Sequence, residues 1–121
     1  IGDAIPWKHA LEQGCDRLLV VLTHPRDYVR KSDPMQKLLH RTYRDYPNFL
    51  HVMEHRAHVY NENREELFRL ERQGKVKVIL PDSTMGGSRT EKDPEKLRLL
   101  WADGYQQGME RMEEIRSFMG R

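Results

Sequence analysis

The chain has 121 residues, of which 37% are apolar and 33% are charged, so it is long enough for one small domain with a thin core. Its 21 basic and 19 acidic residues give a formal net charge of +2, which argues against a dedicated nucleic-acid-binding protein. The single cysteine excludes an intrachain disulfide and a Cys-rich metal site, and no apolar run approaches the ~18 residues of a membrane span. We therefore expect a cytoplasmic location.

The N-terminal part of the chain predicts a short helix followed by a strand. Pro6 suits the first turn of a helix, and Gly14 suits the position just after its end. Residues 17–23, RLLVVLT, are apolar almost throughout and stop at a His-Pro pair, which is typical of a strand covered on both faces. Cys15, just before this strand, is expected to be a small, partly buried residue.

The middle of the chain, residues 33–73, predicts a helical insert. Asp33 is a typical N-cap residue and is followed by a proline that fits the first helical position. Pro47 interrupts this pattern, and from Phe49 the sequence is helical again until Gly74. We expect this insert to connect two strands of one sheet.

The C-terminal part predicts a second strand at 75–80, a flexible surface loop at 82–93 and a long terminal helix at 94–119. One side of this helix is apolar or small and is expected to face the core. That side carries Leu97, Leu100, Trp101, Gly104, Tyr105, Gly108, Met112, Ile115 and Met119. Because glycine disfavours helix interiors by about 1 kcal/mol each, Gly104 and Gly108 predict a close approach to a sheet or another helix.

Together these elements predict a helix-rich α/β fold in one domain over residues 1–121. Its small parallel sheet, of about two strands at 17–23 and 75–80, is covered by helices. A helix, a glycine and a buried strand make half of a βαβ unit, so we expect an incomplete three-layer α/β/α fragment. The outer edge of the first strand should then lack a neighbour, and self-association through this edge or cover by a helix is expected.

Three histidines form the pattern H-x3-H-x2-H on the predicted insert helix. His51, His55 and His58 project to one side, and Glu62 lies one turn beyond His58. This spacing could serve a metal ion, but the apolar residues of the same helix lie roughly opposite, and an exposed face offers no second shell to orient the rings. We interpret the cluster as a solvated polar face and expect no metal site; a metal-binding domain is the alternative.

Nucleophilic catalysis has no visible signature in the chain. None of its serines stands in G-x-S-x-G, the turn that exposes a reactive hydroxyl. These serines are Ser32, Ser83, Ser88 and Ser117. The sequence Gly86-Gly87-Ser88 lacks the Lys-Ser/Thr pair of a phosphate-binding loop, and Asp103-Gly104 is interpreted as structural. We therefore expect no catalytic, cofactor-binding or metal-binding residue in this chain.

Basic residues are concentrated between positions 26 and 44, where six of them stand against two acids. They are Arg26, Arg30, Lys31, Lys37, Arg41 and Arg44. Such a cluster is typical of a solvated face. It is also what a patch for anionic lipid headgroups or phosphate requires.

Three stretches of the chain follow one another in a recognisable order. They are IGDAIPWKHALEQGCDRLLVVLT, YPNFLHVMEHRAHVYNENREELFRLERQGKVKVILP and DPEKLRLLWADGYQQG. With their spacing and strand–helix order, they resemble the C-terminal part of bacterial patatin-like phospholipases over nearly the whole length of the chain.

This resemblance implies that the chain is the C-terminal, non-catalytic part of a serine acyl-ester hydrolase without a cofactor. In that family a Ser in G-x-S-x-G attacks the ester carbonyl and an Asp in D-G-G/A acts as base. Both would precede residue 1, so neither role falls on this chain. The substrate implied is a phospholipid or other lipid ester, and the basic cluster would bring the parent enzyme to an anionic surface at the inner membrane. The alternative is a stand-alone α/β interaction or binding module without activity.

Overall fold

The computed structural model describes residues 4–88 and 90–120, which form five helices and two strands. In chain order they are α1 (Trp7–Glu12), β1 (Leu18–Val21), α2 (Gln36–Thr42), α3 (Pro47–Arg72), β2 (Val76–Ile79), α4 (Pro94–Glu110) and α5 (Met112–Met119). The strands form one two-stranded parallel sheet. The predicted helix-rich α/β fold with a small parallel sheet is confirmed.

The sheet is built from strands that are far apart in the sequence. Leu18 lies opposite Val76, and Val21 lies opposite Ile79. The pairing extends one residue further, where the Leu22 N–H donates to the Ile79 carbonyl at 2.8 Å. Parallel neighbours cannot be joined by a tight turn, so a long crossover must connect them. Here α2 and α3 form that crossover, and α3 returns the chain to the start of β2.

The core lies between α3 and one face of the sheet. The strands contribute alternate residues to this face, because side chains along a strand point to opposite sides in turn. The buried residues of this layer are Leu18, Leu22, Tyr60, Leu67, Leu70, Val76, Val78 and Leu80. Ile5 and Trp7 extend the same cluster at the N-terminal side. Leu67 has no solvent exposure at all, which makes it the centre of the core.

Two glycines turn the chain from a helix into a strand in the same way. Gly14 after α1 has φ 89°, and Gly74 after α3 has φ 73°. At each, the glycine N–H and the following N–H bond back to the last helical turn: Gly74 to the Glu71 carbonyl at 2.9 Å and Lys75 to the Leu70 carbonyl at 3.1 Å. This left-handed C-terminal motif favours glycine, because a side chain is strained at positive φ. The predicted helix ends at both glycines are confirmed.

Two predicted helix boundaries are wrong. The Asp33 carboxylate accepts a hydrogen bond from the Met35 N–H at 2.9 Å, which makes a turn, so α2 begins only at Gln36. The single terminal helix predicted at 94–119 is two helices, because Arg111 departs from helical geometry with φ −95° and ψ 5°. The break at Pro47 is confirmed, since this proline opens α3 in the first turn.

The cover predicted for β1 on both faces is wrong. Its inner face is buried, but Leu19 and Val21 on the other face are exposed, Val21 to 69%. No described helix buries these two side chains, although Val21 lines a crevice together with residues of the helix Pro94–Glu110. Cys15, expected to be partly buried, is also exposed. Its turn lies outside the core because Gly14 directs the chain around the end of α1.

The predicted core contact of the terminal helix is wrong as well. Neither α4 nor α5 has a buried residue among those described. Leu97, Trp101 and Tyr105 are exposed. The Trp101 and Tyr105 rings stack on each other, with their centroids 5.5 Å apart. A Cβ added to Gly104 or Gly108 would meet nothing within 4 Å, so neither glycine marks a close approach in this chain. The apolar side of these helices is covered only in part: Leu100, Met112 and Ile115 are half-buried, and the remaining large apolar residues face solvent.

Truncating the buried core leucine should destabilise the fold, whereas the same change on α4 should not. Leu67→Ala removes a fully buried side chain and should lower the free energy of unfolding by about 2–5 kcal/mol. Leu97→Ala, at a leucine that is 46% exposed, should change it by less than about 0.5 kcal/mol. Urea titration followed by circular dichroism measures both. Equal effects of the two substitutions would contradict this assignment of the core.

Candidate functional site

A crevice of about 680 Å³ lies at the carboxyl ends of both strands. One wall is the segment that follows β1, including Thr23 and His24. The second is the segment after β2, including Ser83 and Thr84, and α4 closes the third side. In open parallel sheets, ligands bind outside the carboxyl ends of the strands. This position makes the crevice the candidate functional site, and we call it the carboxyl-end crevice.

His24 is the titratable group of the β1 wall. Its ring stacks on Tyr28 with centroids 3.9 Å apart, and Tyr28 in turn meets the Tyr60 ring edge-on at 6.3 Å. His24 Nδ1 is buried and has no hydrogen-bond partner among the described residues. Burial lowers the pKa of His24 below 6.5, and the positive charges of Arg64 and Arg30 lower it further. Both causes favour the neutral form of the imidazole.

Arg64 holds the β1 wall in place from α3. It is only 2% exposed, and its Nη2 donates to the Pro25 carbonyl at 2.6 Å and to the Arg26 carbonyl at 3.4 Å. Its guanidinium carbon lies 5.2 Å from the centroid of the Phe68 ring. Among the described residues it has no carboxylate partner within ion-pair distance, and Nη1 has no hydrogen-bond partner. A buried cation of this kind is rare, because buried charges are normally paired.

The loop after β2 is held against α4 rather than standing free. Lys96 Nζ on α4 donates to the Gly86 carbonyl at 2.8 Å and pairs with Glu91 at 3.0 Å. Hydrogen bonding to Lys96 lowers the pKa of Glu91 to about 2, and backbone N–H groups add to this. A Cβ at Gly87 would lie 3.0 Å from the Thr84 carbonyl oxygen and 3.2 Å from a Leu100 methyl, so any larger residue would require the loop or Leu100 to shift.

The serines of this loop line the crevice but have structural bonds. Ser83 Oγ accepts a hydrogen bond from the Met85 N–H at 3.0 Å, and this bond supports the unusual φ of 48° at Met85. Ser83 and Ser88 both line the crevice. Asp103, on the α4 wall, accepts from Gln107 at 2.9 Å. Within the described chain, no histidine is hydrogen-bonded to these serines to activate them.

Two of the three histidines of α3 lie together, and the third is engaged elsewhere. The His51 and His55 ring centroids are 4.2 Å apart, and His55 Nδ1 bonds to the His51 carbonyl at 2.8 Å. His58 pairs with Glu62 at 3.3 Å. All three are exposed. Over residues 4–88 and 90–120, no group of three or more His, Cys, Asp or Glu side chains is placed to hold a metal ion.

The basic cluster divides into two parts. Arg26 pairs with Glu71 at 2.7 Å, and its guanidinium carbon lies 4.3 Å from the centroid of the Phe68 ring. The Arg30 guanidinium carbon lies 5.1 Å from the centroid of the Tyr60 ring. Arg26 is exposed and Arg30 is half-buried, and both pack around Arg64. The other four are exposed and lie away from Arg64: Lys31, Lys37, Arg41 and Arg44. In the described chain no helix is long and apolar enough to span a membrane.

The outer edge of β1 is the second notable surface. Backbone groups alternate along a parallel strand, and the Leu22 N–H faces β2. The N–H and C=O groups of Leu19 and Val21 therefore point away from β2. A groove of about 400 Å³ runs along this edge, and Trp7 is one of its lining residues. Trp7 Nε1 is buried without a hydrogen-bond partner among the described residues. We call this surface the β1 edge groove.

The sequence patterns do not point to His24 or Arg64 as functional residues. They predict His24 only as part of the His24-Pro25 pair that ends the first strand. A signal for Arg64 was present, because Tyr60, Arg64 and Leu67 follow one another at helical spacing on the buried side of α3. An arginine in an apolar stripe indicates a buried charge that needs partners.

Stability should fall as the pH is lowered below about 6.5, in part because of His24. Its folded-state pKa lies below the 6.5 of the unfolded chain, so between these values the unfolded state binds more protons. Stability is thus retained above pH 6.5 and lost as the pH falls through the folded pKa. Urea titrations at pH 7.5 and 5.5 should show that the free energy of unfolding falls less between these two pH values for His24→Gln than for the wild type. His9→Gln, at an exposed position, is the control; identical losses in all three proteins would contradict this role.

A comparison with protein families matches residues 46–120 to the family whose description is "Domain of unknown function (DUF6363)". The match begins just before α3 and runs through α5, so it includes β2 and the loop and helix walls of the carboxyl-end crevice. Neither the curated proteins nor the solved structures give a match to the chain. Because the family covers more than half of the sequence, the chain belongs to the DUF6363 family.

Proposed function

We propose that this chain is the C-terminal, non-catalytic portion of a patatin-like lipid acyl hydrolase. The single observation that carries the proposal is the β1 edge groove. Parallel sheets occur almost only with both faces covered and with several strands, since each strand buries apolar side chains on both sides. In β1 the outer backbone groups are unpaired within the described chain, and Leu19 and Val21 expose apolar side chains.

A neighbouring strand from the same protein would complete this sheet. It would pair with the outward N–H and C=O groups of Leu19 and Val21, and its backbone would offer acceptors near Trp7 Nε1. A helix on the open face would then cover Val21 together with the exposed apolar side of α4. The unpaired edge of β1, its exposed face and the exposed side of α4 are thus the surfaces that a larger α/β hydrolase domain would cover.

The carboxyl-end crevice supports the proposal through its position. In a sheet extended beyond β1, the nucleophile turn and the catalytic Asp of the resembled family would stand at this same edge. The chain itself would supply the wall beside the site, through the segments after β1 and β2. The reaction would be ester hydrolysis by a Ser–Asp dyad, and Lys31, Lys37, Arg41 and Arg44 would face an anionic bilayer. Equal binding of the whole protein to neutral and anionic vesicles would contradict this membrane role.

A stand-alone interaction module is the second candidate. The exposed stack of Trp101 and Tyr105, with Leu97 beside it, favours this function, since aromatic residues are enriched in protein interfaces. The two candidates differ in what they require. The hydrolase requires G-x-S-x-G and D-G-G/A in the same polypeptide before residue 1, and the module requires neither.

Charging the exposed face of β1 should inactivate the whole protein, whereas a matched substitution elsewhere should not. Val21 is 69% exposed and Val29 is 66% exposed in the described chain. In the complete protein, as encoded by its gene, Val21→Lys should reduce hydrolysis of a p-nitrophenyl ester at least about tenfold, because a charge would be buried against the neighbouring elements. Val29→Lys should leave the rate within about twofold.

The isolated chain provides the control for folding. There, both lysine variants should retain the wild-type free energy of unfolding within about 0.5 kcal/mol, because both side chains face solvent. Val21→Lys should also reduce any self-association through the β1 edge, as measured by sedimentation velocity. The proposal fails if the complete protein lacks ester hydrolysis, or if it tolerates Val21→Lys as well as Val29→Lys.

A further inference from the structure

The β1 wall of the carboxyl-end crevice carries an excess of positive charge. Arg30 and His24 line the crevice, and Arg64 stands behind them on α3. The charged group that faces them from α4 is Asp103, whose carboxylate already accepts from Gln107 at 2.9 Å. Two guanidinium charges, beside an imidazole that can be protonated, are therefore opposed by one carboxylate. Within the described chain, Arg64 has carbonyl and aromatic contacts but no ion pair.

This arrangement is costly unless an anion compensates it. Arg64 is only 2% exposed, and both its Nη1 and the Nδ1 of His24 are buried without partners among the described residues. A buried charge whose donors are unsatisfied destabilises the fold. An anion in the crevice would bring negative charge close to Arg30, His24 and Arg64 together. It would also stabilise the charged form of His24.

The other walls suit an oxyanion that is attached to an apolar group. The loop after β2 presents the hydroxyl groups of Ser83, Thr84 and Ser88, which can donate to phosphate oxygens. An arginine offers the fork of donors that binds phosphate in pairs of hydrogen bonds. Leu80 and Leu100 line the same crevice and give it apolar walls. Its volume of about 680 Å³ is typical of a small-molecule site and is far larger than the volume of a single phosphate.

We propose that the carboxyl-end crevice binds a phosphate ester, with Arg30 and His24 as the residues that contact its phosphate group. Arg64 acts as a positioning residue, since it fixes the Pro25–Arg26 backbone and supplies positive potential from behind. The ligand class is a phosphate monoester with an apolar substituent, either a soluble metabolite or the headgroup of a lipid. The site belongs to this chain alone, so its test does not require hydrolysis.

Binding of inorganic phosphate to the isolated chain, measured by NMR at constant ionic strength, tests the site. Phosphate should shift the His24 ring resonances and raise the pKa of His24, because a bound anion stabilises the imidazolium. Sulfate, whose charge does not change between pH 5 and 8, should bind more tightly as the pH falls. Arg30→Gln should weaken phosphate binding at least about tenfold, and Arg30→Lys should restore part of it because it keeps the charge without the fork.

Arg72→Gln is the matched control, because Arg72 is an exposed arginine at the far end of α3. It removes the same charge without altering the crevice and should leave the affinity within about twofold. Far-UV circular dichroism and thermal unfolding of each variant separate loss of binding from loss of folding. Equal weakening by Arg30→Gln and Arg72→Gln would reduce the effect to general electrostatic attraction and would overturn the proposal.

Two further ligands separate the sources of the phosphate group. Phenyl phosphate probes a soluble ester with an apolar substituent, and phosphatidylcholine vesicles with or without phosphatidic acid probe a lipid headgroup. A His24 shift with phenyl phosphate that depends on Arg30 supports a soluble ligand. Arg30-dependent binding only to vesicles that contain phosphatidic acid supports a lipid headgroup. No His24 shift with phosphate and no Arg30-dependent vesicle binding would overturn the site.

Discussion

The parallel pairing of β1 with β2 is the constraint on which the rest of this structure depends. Parallel strands require a long crossover, and α3 provides it while it buries Leu67 against Val76 and Val78. The same pairing places both carboxyl ends at one edge and so creates the crevice. It also leaves the other side of β1 without a partner in the described chain. The core, the candidate site and the open edge therefore have one origin.

Arg64 connects the core to the crevice. It belongs to the buried side of α3 by its spacing, yet its hydrogen bonds go to the backbone just after β1. The rings of Tyr28, Tyr60 and Phe68 surround its guanidinium, which replaces hydration by weaker aromatic contacts. A hydrophobic residue of similar size would be expected at this position if stability alone mattered.

The sequence correctly predicted the features that depend on residues close together in the chain. Gly14 and Gly74 marked the helix ends, Pro47 marked the start of α3, and two apolar runs gave the strands. The wrong predictions concern which element covers an apolar surface. The apolar side of α4 and the second face of β1 were correctly identified as apolar, but the described chain covers both only in part, so Leu97 and Val21 are exposed. Periodicity identifies an apolar face and cannot identify its partner. The charged crevice was missed because His24 and Arg64 are forty positions apart.

Hydrogen exchange at single amides of β1 tests most directly whether the sheet continues beyond this strand. In the isolated chain, the amides of Leu19 and Val21 point to the outer edge and should exchange rapidly, whereas those of Val20 and Leu22, which face β2, should be protected. In the complete protein, Leu19 and Val21 should become as protected as Val20. Amides of Leu19 and Val21 that remain unprotected in the complete protein, or that are already protected in the monomeric chain, would contradict a sheet completed from outside.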